Sequence, residues 1–130
     1  MGAGLPTEGT NTQIPRLVDV VKRDVPTCAL GERLGDVRHR VVAAGWDACV
    51  VVSTDRVVLG LLRAEQLRAD PEMPVDRVMR PGPSTYRPFV SVAEMGRIMS
   101  ERDMASSPVT TSDGRLVGLV RRQDVDGAEG

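Results

Sequence analysis

The chain is 130 residues long, enough for one compact domain and too short for a barrel enzyme or a two-domain enzyme. Its 41% hydrophobic and 27% charged residues exclude disorder as the main state. Only three residues are aromatic (Trp46, Tyr86 and Phe89), which argues against a base-stacking platform, and seventeen cations against eighteen anions create no field that would gather nucleic acid.

In chain order, residues 1–15 are rich in Gly, Thr and Pro with little to bury, and they read as a flexible tail. Met1 to Thr12 lacks the charged and apolar regions of a signal peptide. No apolar run approaches the roughly 20 residues a bilayer requires, so no membrane contact and a cytoplasmic location are expected.

A short strand is expected around Val25–Ala29. Leu34, Val37 and Val41 then recur at the spacing of one buried helical face, and Gly45 supplies a left-handed stop. Two β-branched runs follow, Ala48–Ser53 and Val57–Leu62, joined by Thr54-Asp55-Arg56, and a short helix is expected near Ala64–Arg68. Asp70-Pro71-Glu72-Met73-Pro74 breaks the pattern and reads as a link.

The same order then returns. A strand is expected around Ser84–Arg87, followed by a helix with Val92, Met95 and Met99 on one face. Ser91 and Glu94 form a capping box at its start, and Asp103 stands where Gly45 stood. Pro108–Thr111 and Leu116–Val120 flank Ser112-Asp113-Gly114, a strong hairpin signal, and a last helix is expected near Arg122–Val125. Residues 126–130 read as a second tail.

Sliding the chain by 58 residues lays the second half on the first without a gap. Val57–Arg63 falls on Arg115–Arg121, with Gly60 on Gly118, Leu61 on Leu119 and Arg63 on Arg121. The chain therefore divides into repeat one, residues 16–73, and repeat two, residues 74–125. Each is a β-α-β-β-α unit of about 50 residues, too small to be secure alone, so the two are expected to pack as a pseudo-twofold α+β pair.

No metal or catalytic set emerges, and neither a cofactor nor an enzymatic activity is expected. His39 is the only histidine and lies mid-helix between Arg38 and Arg40; Cys28 and Cys49 are too far apart for a CxxC motif and sit in apolar settings.

Val78-Met79-Arg80, Ser107-Pro108-Val109 and Asp113-Gly114-Arg115-Leu116-Val117-Gly118-Leu119-Val120, with Asp124 beyond, resemble the CBS domain family, whose tandem form is the Bateman module. The first repeat departs from that pattern, with Val50 at the strand proline and Arg56 at the turn glycine. The resemblance implies a regulatory module that binds an adenosine nucleotide or related adenosyl compound in clefts between the repeats. It also implies a homodimer and a regulated protein acted on in trans.

The family pattern Gly-h-h-Ser/Thr-x-x-Asp carries phosphate at the hydroxyl position and ribose at the aspartate. Here Arg121 replaces the hydroxyl and Asp124 keeps the aspartate, whereas repeat one has Arg63 and Gln66. The resemblance accordingly implies a primary cleft of Lys22, Asp24, Pro26, Asp47, Ala48, Cys49, Leu119, Arg121 and Asp124. A weaker secondary cleft gathers Arg80, Gly82, Pro83, Ala105, Ser106, Ser107, Leu61, Arg63 and Gln66.

Asp124 equally suits a helix-end carboxylate, and either arginine an ordinary ion pair. The departures in both repeats keep open a ligand-free dimerisation module with vestigial clefts. Val37, Val41, Met95 and Met99 would suit its interface or an internal core.

Overall fold

The computed structural model describes residues 14–129. Its elements run α1 (Leu17–Val20), β1 (Thr27–Cys28), α2 (Leu34–Ala43), β2 (Cys49–Val52), β3 (Val58–Leu62) and α3 (Ala64–Leu67), then α4 (Val75–Val78), β4 (Arg80–Pro81), α5 (Val92–Glu101), β5 (Ser106–Thr110), β6 (Leu116–Arg121) and α6 (Arg122–Glu129). The helices of the two halves begin 58 residues apart throughout: Leu17 and Val75, Leu34 and Val92, Ala64 and Arg122.

The apolar periodicity builds two cores. Leu34, Val37 and Val41 of α2 pack with Cys28, Cys49, Val51 and Leu62, and Val92, Met95 and Met99 of α5 pack with Val109, Val120 and Val125. A third cluster, with Val50, Leu61 and Leu119 at its centre, joins the halves. Val37, Val41, Met95 and Met99 are at most 1% exposed, so the interface suggested for them is ruled out: these side chains are committed to the interior.

Ser91 caps α5, its hydroxyl accepting from the Glu94 N–H at 3.1 Å. Gly45 and Asp103 both take the left-handed conformation after their helices, with φ of 77° and 52°. The hairpin turns match likewise. Gly114 has φ of 86° and its repeat-one counterpart Arg56 has φ of 66°, a conformation that disfavours any side chain with a Cβ.

Sheet pairing crosses between the repeats. β1 runs parallel to β2, β2 antiparallel to β3, and β3 antiparallel to β4, which comes from the second half. The β5–β6 pair has the matching neighbours as single bridges: Tyr86 parallel to Val109, and Lys22, from the first half, antiparallel to Leu119. The short helices are exchanged too. Leu17 of α1 is buried in the core of the second half, and Val75 of α4 in that of the first.

At the hairpin tips Val58 N–H donates to the Gly114 carbonyl and Leu116 N–H to the Arg56 carbonyl, at 3.0 and 2.8 Å. The two halves therefore form one body through reciprocal exchange of their leading segments.

Two terminal expectations need comment. Of the expected N-terminal tail, residues 1–13 lie outside the described residues; the Pro15 carbonyl accepts from Val92 N–H at 2.9 Å and so belongs to the fold. The expected C-terminal tail is corrected over 126–129, because α6 continues to Glu129 and Ala128 packs on the second core. Gly130 lies outside the described residues.

Candidate functional site

The ends of β3 and β6, the starts of α3 and α6, and the residues just before β2 and β5 surround a cavity of about 940 Å³. Its lining is drawn from both repeats in corresponding pairs: Asp47 with Ala105, Ala48 with Ser106, and Arg63 with Arg121. The cavity therefore lies on the pseudo-twofold axis and joins the two clefts expected from the sequence.

Of the primary set, Asp47, Ala48, Leu119 and Arg121 line this cavity. Lys22 reaches its edge through the backbone, exchanging two hydrogen bonds of 2.9 Å with Leu119. Asp24 is close enough to Arg121 to favour its charge, and the Pro26 carbonyl accepts from Val50 N–H at 3.0 Å.

Cys49 is corrected: alternation along β2 turns its side chain into the first core, where it is fully buried beside Cys28. Both thiols are free. The Cys28 contact, then burial, push the Cys49 thiol well above its ordinary pKa.

Asp124 does not line the cavity. Its carboxylate accepts from Arg121 Nε at 3.0 Å, from Nη2 at 3.4 Å and from the Arg121 backbone N–H at 3.3 Å. It thus ties down the start of α6, as Gln66 does for α3 by accepting from the Arg63 N–H at 2.8 Å. The Arg121 guanidinium also stacks 4.9 Å above the Trp46 ring. The Asp124 hydrogen bond is the main cause that raises the Arg121 pKa, with help from the charges of Asp47 and Asp24.

In the secondary set, Ala105, Ser106 and Arg63 line the cavity. Arg63 behaves unlike its counterpart. Its Nη2 crosses to the other repeat and donates to the Ser106 carbonyl at 2.8 Å, while its buried Nε has no acceptor among the described residues.

No carboxylate among the described residues lies within ion-pairing distance of Arg63 or Arg80. Burial, then the charge of Arg80, lower the Arg63 pKa. Arg80 is exposed and pairs through its backbone with Leu61, which is itself buried.

Gly82 takes φ of 54° and its N–H donates to the Leu59 carbonyl at 3.2 Å, leading into half-buried Pro83. Ser107 is corrected: it is fully buried, its hydroxyl donates to the Ser84 carbonyl at 3.2 Å, and it does not line the cavity.

Sequence reasoning missed Trp46 and the cavity-lining Arg68, Arg122 and Asp126. The signal was available for Trp46, the only tryptophan, which immediately precedes Asp47.

Comparison with known proteins agrees with this architecture. Residues 75–128 match the CBS domain family profile. The cytosolic domain of the Mg2+ channel MgtE, solved in complex with ATP, is 25% identical with a TM-score of 0.77; the match covers 85% of this chain, which spans 47% of that one.

CBSX2 in complex with AMP is 17% identical with a TM-score of 0.80, covering 88% of this chain and 96% of that one. The CBS domain pair of MJ0100, in complex with 5′-methylthioadenosine and S-adenosyl-L-methionine, is 16% identical with a TM-score of 0.79, covering 90% and 97%. These last two likenesses concern the fold alone. Residues 75–128 match the CBS domain family by sequence, and the fold of the described residues is that of a CBS domain pair.

Proposed function

We propose that this chain is a regulatory module that binds an adenosine nucleotide or related adenosyl compound between its two repeats. The observation that carries the reading is the 940 Å³ cavity on the pseudo-twofold axis, walled by both halves. CBS pair modules are typically non-catalytic, and the solved structures with this fold include complexes with ATP, AMP and S-adenosyl-L-methionine.

A ligand in such a cavity touches Asp47 and Ala48 from one repeat and Leu119 and Arg121 from the other. It stabilises the arrangement in which those four lie together, and it shifts any equilibrium in which they do not. The output is then a change in repeat packing or in self-association.

A thermal-shift panel of AMP, ADP, ATP, NAD and S-adenosylmethionine tests the proposal. At 100 times Kd a ligand specific for the folded state adds about 2.7 kcal/mol, an easily measured rise in melting temperature. If no adenosyl compound raises it, the reading fails.

One observation favours a second reading, a ligand-free dimerisation module: Asp124, the expected ribose acceptor, is already engaged by Arg121. That reading predicts a dimer in sedimentation whose melting temperature ignores the whole panel.

A further inference from the structure

Resting on the adenosyl-ligand reading, we propose that Arg121 is an autoinhibitory latch: its guanidinium, held between Trp46 of the first repeat and Asp124 of the second, closes one end of the cavity, and a ligand enters that end by displacing it. The opposite end has no such latch.

Arg121 lines the cavity and Asp124 does not, so the carboxylate lies behind the guanidinium it binds. Three hydrogen bonds join the pair, from Arg121 Nε at 3.0 Å, Nη2 at 3.4 Å and the backbone N–H at 3.3 Å, and the Asp124 side chain is only 12% exposed. The same guanidinium lies 4.9 Å from the centre of the Trp46 ring, which belongs to the other repeat. One side chain therefore spans the boundary between the repeats at the cavity wall.

Its counterpart shows what leaves an arginine unlatched. Gln66 stands 58 residues before Asp124, and its neutral amide oxygen accepts from the Arg63 N–H at 2.8 Å without holding the guanidinium. Arg63 instead donates to the Ser106 carbonyl at 2.8 Å. Met104 takes the place of Trp46, so that end offers no indole platform either.

The latch also has a second resting place. Asp47 and Asp24 are exposed and near enough to favour the Arg121 charge. A guanidinium lifted off Asp124 moves toward those carboxylates and still borders the ligand. With two discrete positions available, a ligand that fits only the open one shifts the balance and loses affinity to the displacement. Trp46 also lines an outer groove with Val42 and Leu67, so release of Arg121 is felt on the outer surface of the first repeat.

Calorimetric titration of the full chain with adenosine and AMP tests this, with Arg121→Ala, Arg121→Lys and Arg63→Ala beside the unaltered protein. Arg121→Ala is expected to bind adenosine about fivefold more tightly, because no ion pair or ring contact has to be broken. Arg121→Lys keeps the charge and loses the flat fork, so a gain of about twofold is expected, and it keeps the test valid if Arg121→Ala fails to fold. Arg63→Ala is expected to bring no gain. Trp46 is the only tryptophan, and its emission is expected to change as adenosine binds the unaltered protein and to change little in Arg121→Ala.

Equal or weaker binding by Arg121→Ala marks an ordinary ligand contact or a structural residue, and overturns the latch while leaving adenosyl binding intact. An equal gain in Arg63→Ala, which would come from widening the cavity, overturns it too, as does unchanged Trp46 emission at saturation. Binding by the Arg121 variants alone upholds the latch, whereas binding by none of the four proteins removes it together with the adenosyl reading.

Discussion

Replacing Gly118 by alanine probes the exchange of leading segments more sharply than any truncation. A Cβ at Gly118 would run into the Lys22 carbonyl oxygen and lie 2.7 Å from Val21 Cγ2 and 3.0 Å from the Lys22 carbonyl carbon. That carbonyl is fixed, because it accepts from Leu119 N–H while Lys22 N–H donates back to the Leu119 carbonyl. Relief requires moving residues 21–22 off β6.

Overpacking costs about 1–3 kcal/mol, and losing both hydrogen bonds adds about 2, for a total of roughly 3–5 kcal/mol. The corresponding Gly60→Ala meets the Met79 side chain first, with Cγ at 2.9 Å and the Arg80 carbonyl at 3.1 Å. A methionine with three rotatable bonds gives way, so about 1 kcal/mol is expected.

In thermal unfolding followed by circular dichroism, a domain of this size should lose roughly 15 °C at Gly118 and under about 5 °C at Gly60. Equal losses, or the larger loss at Gly60, would refute the fixed backbone contact between Lys22 and β6.

Leu17→Ala should destabilise by about 2–5 kcal/mol, since Leu17 is fully buried. Hydrogen exchange should show protection lost in α5 rather than α2, and the opposite pattern would place α1 on the wrong core. Arg56→Gly removes a Cβ from a left-handed residue and should raise the urea midpoint, a gain of about 0.5–1 kcal/mol, without changing the slope; a lower midpoint would contradict the turn geometry. Cys28 and Cys49 should resist a disulfide reagent at pH 8 until the protein unfolds, because burial and mutual contact disfavour the Cys49 thiolate; stoichiometric reaction of the native protein within minutes would contradict the packing.

Long periodic features were legible in the sequence. Leu34, Val37 and Val41, and their counterparts Val92, Met95 and Met99, define α2 and α5 because a ten-residue helix repeats its buried face often enough to be read. The hairpins were legible from β-branched runs around Asp113-Gly114, and the ungapped shift of 58 carried the weaker copy with it.

Four-residue helices such as α1 and α4 show no period, so their docking on the opposite repeat was not readable. Nor was the extent of α6, where Asp126-Gly127 looks like a stop but Ala128 finds a core to pack on.

The candidate site was half legible. Residues at the ends of β3 and β6 were found because the Gly-h-h-Arg spacing fixes where each strand ends and its helix starts. Cys49 and Ser107 were misassigned because strand alternation decides which side chains face the cavity, and the register there is set by pairing with β3 and β6. Asp124 suited either a ribose contact or a helix-end carboxylate; its pairing with Arg121, three residues earlier, depends on a rotamer no motif encodes.

Ligand binding between the repeats is tested most directly by calorimetric titration of the full chain with ATP. The predicted result is saturable binding that weakens as salt rises, accompanied by a higher melting temperature. Absence of saturable heat together with an unchanged melting temperature at millimolar ATP would contradict it.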